Sequence, residues 1–199
     1  MEWGRLGDMS GFMRLTAVLL LLTILLLVGF TASGWGDPHP LGELVQTVQP
    51  GVMVIPATGE QLTWLETELL RKRFSVRLTA VYQSGERDIG YGLLLGTLHT
   101  TTAIKLSPLG YLTIAQSPIS NLQSPISLLP WQTWPHVRPN QNEIWLDVDG
   151  SQWTVRVNRE LLWVGEVAGR VERVGVVGEG FGEETAVIAF PTLELFVEN

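Results

Sequence analysis

The chain has 199 residues, of which 45% are apolar and 17% charged, and its formal net charge is −7. This balance supports a folded core and excludes a disordered chain, while the acidic excess argues against a basic patch for nucleic acid or anionic lipid. The absence of cysteine excludes disulfides, thiol catalysis, thiolate metal sites and a lipoprotein anchor.

The N-terminal segment carries a strong membrane signal. Residues Leu15–Phe30 are almost continuously apolar, and no charged residue occurs between Arg14 and Asp37. A helix over residues 15–35 would rise about 30 Å, which is the thickness of a hydrocarbon core, and Trp35 falls where interfacial aromatic residues occur. We therefore predict a single transmembrane helix, or signal anchor, over residues 15–35.

Basic residues set the expected orientation of this segment. Arg5 and Arg14 precede the apolar run, and the next lysine or arginine is Arg71. The positive-inside rule places residues 1–14 in the cytoplasm and the rest of the chain outside the membrane. The alternative is a cleaved signal peptide with its small residues at 31–34, which would give a secreted domain.

The next segment is predicted to connect the membrane helix to a folded domain. Residues 36–61 are rich in Gly, Pro and Gln, which is typical of a linker, and Val52–Ile55 is a candidate first strand within it. Leu62–Arg73 fits a helix or a pair of strands equally well. The folded domain is predicted to occupy residues 62–199.

From Phe74 onward the sequence has the period of two that is typical of strands. Phe74, Val76, Leu78, Ala80 and Tyr82 are predicted to face one side of an antiparallel strand. Roughly ten to twelve short strands separated by turn signals predict an all-β sandwich or barrel. The other predicted strands are Gly90–Gly96, Thr101–Leu106, Tyr111–Ala115, Glu143–Val148, Gln152–Val157, Leu161–Val164, Val171–Val177, Thr185–Phe190 and Leu193–Val197.

Residues 116–142 differ from the strands around them. They contain five prolines and several serines and glutamines, so a long connection is predicted. Long ordered loops often carry function.

The order of several short motifs carries a family resemblance. These motifs are Phe74–Tyr82, Gly90–Leu93, Leu109–Leu112, Trp131 ahead of Asn142–Ile144, Asp149-Gly150, Val157–Arg159, Val174–Val177 and Leu193–Phe196. Together they resemble the concanavalin A-like lectin/glucanase superfamily, and are most similar to its laminin-G-like and family 16 glycoside-hydrolase-like jelly-roll domains. The resemblance implies two curved antiparallel sheets packed as a β-sandwich, and binding of carbohydrate or of a protein partner.

Enzymatic members of that superfamily carry a Glu-x-Asp-x-x-Glu strand, which points its carboxylates to one face. The nearest string here is Asp147–Gly150, which lacks the glutamates and uses Asp149 in a turn. We therefore expect a binding module without catalytic activity. The alternatives are an accessory domain that packs on another membrane protein and a divergent glycosidase.

Two tryptophans are the predicted ligand-binding residues, because aromatic faces stack on sugar rings and are favoured at recognition surfaces. Trp134 lies in the predicted long connection. Trp145 is out of phase with Ile144 and Leu146, so it should face away from the core. Core positions are predicted for Trp131 and Trp153.

Metal and phosphate chemistry find little support in the sequence. The three histidines are far apart, and the glycine-rich stretch Gly175–Gly182 carries Glu179, which would repel a phosphate. No cofactor is expected. The alternative considered is a calcium site at the rim of the domain formed by Asp147, Asp149, Glu183 and Glu184. The expected partner is a glycan or a protein outside the cell, and not nucleic acid.

Overall fold

The computed structural model describes residues 6–32, 37–66, 72–119 and 125–198. The chain divides into two compact units, Met1–His39 and Pro40–Asn199. The first unit contains one helix, α1 (Leu6–Ala32), and the second contains the strands.

Helix α1 includes most of the predicted membrane span but begins before it, at Leu6. The side chains described for residues 13–29 are all exposed, and most are apolar. Trp35 and part of the proposed cleavage region lie outside the described residues. Within the described part of the chain, no helix combines the length and the apolarity needed to cross a membrane, so the predicted transmembrane helix is not confirmed.

The second unit is all-β, as predicted, with two antiparallel sheets. Its strands in the described residues are β1 (Glu43–Val48), β2 (Gly51–Ile55), β3 (Thr58–Trp64), β4 (Arg73–Gly85), β5 (Ile89–Gly96), β6 (Thr100–Leu106), β7 (Tyr111–Pro118), β8 (Ile126–Thr133), β9 (Gln141–Asp149), β10 (Gln152–Val157), β11 (Glu160–Glu166), β12 (Arg173–Phe181) and β13 (Ala186–Val197). The seven-stranded sheet has the order β1-β13-β4-β9-β10-β11, with β2 also paired to β13, and the six-stranded sheet has the order β3-β12-β5-β6-β7-β8.

The core lies between the sheets and follows the period of two. In β4, Phe74, Val76, Leu78 and Ala80 are buried, as their spacing predicted. They belong to one cluster with inward-facing residues of the other sheet, namely Ile89, Tyr91, Leu93 and Leu95 of β5. Trp153 is fully buried in the same cluster, which confirms its predicted core position.

The segment predicted as a linker contributes more to the sheets than the sequence indicated. Besides β2, which contains the candidate first strand, it forms β1 and the start of β3. Gly51 and Gly59 adopt φ values of 90° and 93°, which glycine permits without strain, at the starts of β2 and β3. The glycine residues that made this segment resemble a linker therefore form the turns between its short strands.

Proline explains two further differences from the predicted strands. The predicted connection 116–142 contains β8, in which Pro130 is tolerated because β8 is the outer strand of its sheet. Residues 120–124 of that connection lie outside the described residues. The two predicted C-terminal strands form one strand, β13, whose register shifts between Ala189 and Thr192, around Pro191.

Candidate ligand-binding site

A pocket of about 330 Å³ opens on the six-stranded sheet, and we call it the aromatic pocket. Its lining residues are Asp88, Ile89, Ser107, Tyr111, Trp131 and Phe181. The three aromatic side chains are unusually open for their size: Tyr111 is 42% exposed, Trp131 41% and Phe181 44%. Large aromatic side chains are normally buried, so three exposed ones around a single cavity indicate a surface available to a ligand.

The strand order explains how residues so distant in sequence meet. Phe181 ends β12 and Ile89 begins β5, and these two strands pair antiparallel. Ser107 follows the end of β6, and Tyr111 begins β7, which pairs with β8. In an antiparallel sheet the end of one strand lies next to the start of its neighbour. These residues therefore collect at one end of the strands.

Gly90 allows Trp131 to lie against the sheet. A Cβ atom added to Gly90 would lie 3.1 and 3.2 Å from the Cη2 and Cζ2 atoms of Trp131, and 3.5 Å from the Cβ of Lys105. The indole ring therefore occupies the space above Gly90 that any other side chain would fill. The Trp131 ring meets that of Phe181 edge to face, with centroids 5.8 Å apart and ring planes at 89°.

Hydrogen bonds fix the turns at the pocket. The Ser107 hydroxyl donates to the carbonyl of Arg87 at 3.3 Å and accepts the N–H of Leu109 at 3.2 Å. The Arg87 guanidinium donates to the carbonyl of Pro108 at 3.1 Å, so the turns before β5 and before β7 are tied together. The Gly110 N–H donates to the Ser107 carbonyl at 2.9 Å, which closes the turn between β6 and β7.

The turn before β5 is negatively charged. The Glu86 carboxylate accepts the N–H groups of Arg87 at 2.8 Å and Asp88 at 3.2 Å. The N–H of Asp88, followed by that of Arg87, holds the pKa of Glu86 below its ordinary value. The Asp88 carbonyl accepts the N–H of Phe181 at 3.0 Å, which joins this turn to the end of β12.

An ion cluster with a buried lysine at its centre lies beside the pocket on the same face. The Lys105 side chain is almost fully buried, and its ammonium donates to Glu179 and lies 3.5 Å from a carboxylate oxygen of Glu60. Glu179 and Glu60 are register partners on β12 and β3. Because Lys105 already has two carboxylate partners, its charge is neutralised within the sheet.

The structure places Trp145 differently from the prediction. Trp145 does face away from Ile144 and Leu146, but only 1% of it is exposed, so its prediction as a surface aromatic is wrong. The guanidinium of Arg77 covers the ring at 4.4 Å from its centroid, and that of Arg156 lies at 5.6 Å. Both arginines are register partners of Trp145 on the neighbouring strands, so the outer face of the seven-stranded sheet buries it.

Asp147 holds this arrangement together. Its carboxylate accepts hydrogen bonds from the Trp145 indole N–H at 2.6 Å and from the Ser75 hydroxyl at 2.5 Å, and it pairs with Arg156. Asp149, the next carboxylate considered for calcium, lies 3.1 Å from the Nε of Arg73. In the part of the chain that the structure describes, no group of three or more potential ligands is arranged for a metal ion.

Trp134, the other predicted binding residue, is half-buried. It packs against the core cluster, and its ring lies 5.7 Å from that of His136. Its indole nitrogen is buried and has no hydrogen-bond partner among the described residues. Trp134 is not one of the residues that line the aromatic pocket, so the structure does not bring the two predicted binding residues together there.

A second, polar pocket of about 360 Å³ lies on the seven-stranded sheet. Its lining residues are Thr79, Arg138, Gln141, Glu143, Asn158 and Arg159. Asn158 and Arg159 form the turn between β10 and β11 with φ values of 53° and 73°. This pocket offers hydrogen-bonding groups but no aromatic face.

Sequence reasoning missed every residue of the aromatic pocket as a ligand contact. Trp131 was assigned to the core, and this assignment is wrong because β8 is an edge strand whose side chains have no further strand beside them. Asp88, Tyr111 and Phe181 each flank a turn. One available signal was Gly90 between apolar residues, because such a glycine often marks close approach of another group.

Comparisons with known proteins agree on the fold. No protein-family model matches the sequence, and no curated protein matches it significantly. Among solved structures, the carbohydrate-binding module CBM66 from Bacillus subtilis is similar with a TM-score of 0.51 and 7% identity, covering 79% of this chain and 94% of that one. A functionally unknown protein from Saccharomyces cerevisiae is similar with a TM-score of 0.52 and 10% identity, covering 82% and 98%.

A β-fructofuranosidase from Aspergillus kawachii also matches, with a TM-score of 0.51 and 12% identity. The match covers 76% of this chain but only 27% of the enzyme, so the chain spans about a quarter of that protein's length. At these identities the likeness concerns the fold. The two-sheet β-sandwich that the resemblance implied is therefore confirmed as the fold.

Proposed function

We propose that this chain is a non-catalytic carbohydrate-binding module that holds its ligand in the aromatic pocket. The observation that carries the proposal is the cluster of Tyr111, Trp131 and Phe181, all more than 40% exposed around one cavity. Sugar rings present apolar C–H faces that pack on aromatic rings, and hydroxyl groups that bond to polar side chains. Asp88, whose side chain is exposed, supplies such a polar group in the same pocket.

The pocket also suits binding better than hydrolysis. Glycosidases use two carboxyl groups on either side of the scissile bond. Among the described residues that line the aromatic pocket, Asp88 is the single carboxylate. One of the similar folds, CBM66, is by name a carbohydrate-binding module, which supports a binding role for this sandwich.

The location outside the cytoplasm is part of the proposal and rests on the sequence. The apolar run Leu15–Phe30 follows Arg5 and Arg14, and it would either anchor the domain or direct its export. Apolar side chains exposed along α1 support burial of this segment in a non-aqueous environment. Carbonate extraction and protease protection of tagged protein would test it: recovery in the soluble cytosolic fraction would refute the location.

A second candidate function, docking on another membrane protein, is favoured by one observation. Leu44 and Val45 on β1, and Val52 and Val54 on β2, are exposed apolar residues on two strands that both pair with β13. Chemical cross-linking in intact cells would test this candidate. A cross-linked partner that is lost in a Val52→Ser, Val54→Ser variant would support it.

The main test is a glycan array probed with the full chain in a nonionic detergent, together with a Trp131→Ala variant. We expect binding to one class of glycan and a loss of about fivefold to thirtyfold in the variant, since stacking contacts contribute about 1 to 2 kcal/mol. Trp64→Ala is the matched control, because Trp64 lies on the same sheet but stacks on Arg173 away from the pocket. Equal binding by the Trp131 variant would refute the site.

A further inference from the structure

The aromatic pocket combines aromatic faces with a carboxylate that has no cationic partner. Asp88 lines the pocket and forms no salt bridge within the described part of the chain. Its side chain is exposed at the pocket, so the carboxylate is available to a ligand. An unpaired anion beside aromatic rings is a combination that attracts positive charge.

The arrangement of the aromatic rings also favours binding of a cation. The Trp131 and Phe181 planes stand at 89° with centroids 5.8 Å apart, so their faces form the two sides of a corner. A cation is attracted to the face of an aromatic ring within about 6 Å of its centroid, and it gains from each face that it meets. Trp131, Phe181 and Tyr111 all line the pocket, so aromatic faces are available to a charged group that enters it.

Two turns that adjoin the lining residues Asp88 and Phe181 carry further negative charge. The turn before β5 carries Glu86 and Asp88, and the turn after β12 carries Glu183 and Glu184. These turns are hydrogen-bonded to each other, because the Glu86 N–H donates to the Thr185 carbonyl at 3.2 Å. Of these four carboxylates, Asp88 lines the pocket and the other three belong to the turns next to it.

The basic residues next to these carboxylates do not line the pocket. Lys105 is paired with Glu179 and Glu60, while the Arg87 guanidinium donates to the neutral carbonyl of Pro108 and keeps its charge. Among the described residues, no basic side chain belongs to the pocket lining. An anionic sugar such as a uronic acid would therefore meet the Asp88 carboxylate with no cation in the lining to offset the repulsion.

We propose that the aromatic pocket selects glycans bearing a free, positively charged amino group, such as unacetylated hexosamines, over their N-acetylated and acidic counterparts. This inference rests on the proposed carbohydrate-binding function and names the ligand class of the same site. The sugar ring packs on Trp131, while the ammonium group lies between the ring faces and the Asp88 carboxylate.

The test is a set of matched glycan pairs, each printed in N-acetylated and de-N-acetylated form, with uronic acid oligomers included. Calorimetry with a glucosamine tetramer and its N-acetylated counterpart then measures the pair in solution, using the full chain in a nonionic detergent. We expect the amino form to bind about tenfold more tightly, from one cation–π contact and one exposed ion pair together. The preference should shrink as salt is raised, because salt screens exposed charges.

An Asp88→Asn variant should reduce the preference for the amino form to about threefold or less, because it removes the ion pair and leaves the cation–π contact. Asp149→Asn, in a turn of the other sheet, is the matched control and should retain the full preference. If N-acetylated glycans bind as well as the amino forms, the inference is overturned while the binding function stands. If neither form binds in any pair, the proposed function fails with it.

Discussion

Replacing Trp145 separates a structural from a ligand-binding role for the tryptophan that the sequence singled out. Trp145 is 1% exposed and donates its indole N–H to Asp147 at 2.6 Å. Trp145→Phe keeps most of the packing but loses that hydrogen bond to a charged acceptor, at about 1.5 to 3 kcal/mol. Trp145→Ala also opens a cavity under Arg77, and truncating a buried tryptophan costs about 3 to 5 kcal/mol.

The assay is chemical denaturation of the full chain, followed by far-UV circular dichroism, with glycan affinity measured in parallel under native conditions. We expect unfolding free energy to fall in the order wild type, Trp145→Phe, Trp145→Ala, while the affinity of the remaining folded protein stays within about twofold. Trp131→Ala should show the opposite pattern, with lost affinity and a stability change below about 1 kcal/mol, because its ring is partly exposed. Loss of binding by Trp145→Ala at unchanged stability would refute this assignment.

Three further predictions concern neighbouring features. Burial raises the pKa of Tyr91 to about 12. The folded state therefore retains the phenol proton that the unfolded state loses near pH 10. The free energy of unfolding should fall between pH 10 and 12 by up to about 3 kcal/mol. Chemical denaturation of Tyr91→Phe between pH 10 and 12 should not show this fall in unfolding free energy. The same pH dependence in the variant and the wild type would contradict the assignment to Tyr91. Asp147→Ala should lower unfolding free energy by about 3 kcal/mol or more, because Ser75, Trp145 and Arg156 lose a buried acceptor; an unchanged melting temperature would contradict this. Gly90→Ala should displace Trp131 and weaken glycan binding several-fold in calorimetry, since the new Cβ would lie 3.1 Å from the indole; unchanged affinity would mean that the ring position is unimportant.

Strands with a clear alternation were predictable because the pattern itself encodes burial. The residues of β4 alternate over a long run, and Phe74, Val76, Leu78 and Ala80 are buried as the spacing assigned, although Tyr82 is only half-buried and Ser75 is buried on the other face. Strand β8 was not predicted, because Pro125 and Pro130 are typical of loops. Pro130 is compatible with a strand here because β8 lies at the edge of its sheet. Sequence alone does not reveal which strand becomes an edge.

The candidate site was less predictable for a related reason. Alternation tells which face of a strand a side chain takes, and it placed Trp145 on the outer face correctly. It does not tell what the neighbouring strands put over that face, and here Arg77 and Arg156 cover the ring. The aromatic pocket joins residues from Asp88 to Phe181 through strand pairing, which no local pattern in the sequence encodes.

The central place of β13 has a consequence for how the domain acquires its structure. Strand β13 follows the other described strands along the chain, yet β1, β2 and β4 all pair with it. As the polypeptide is synthesised from its N-terminus, β1 and β2 have no sheet partner until β13 has been made. The seven-stranded sheet therefore cannot be completed before β13 is available, and truncating the chain within β13 should abolish folding instead of trimming an edge.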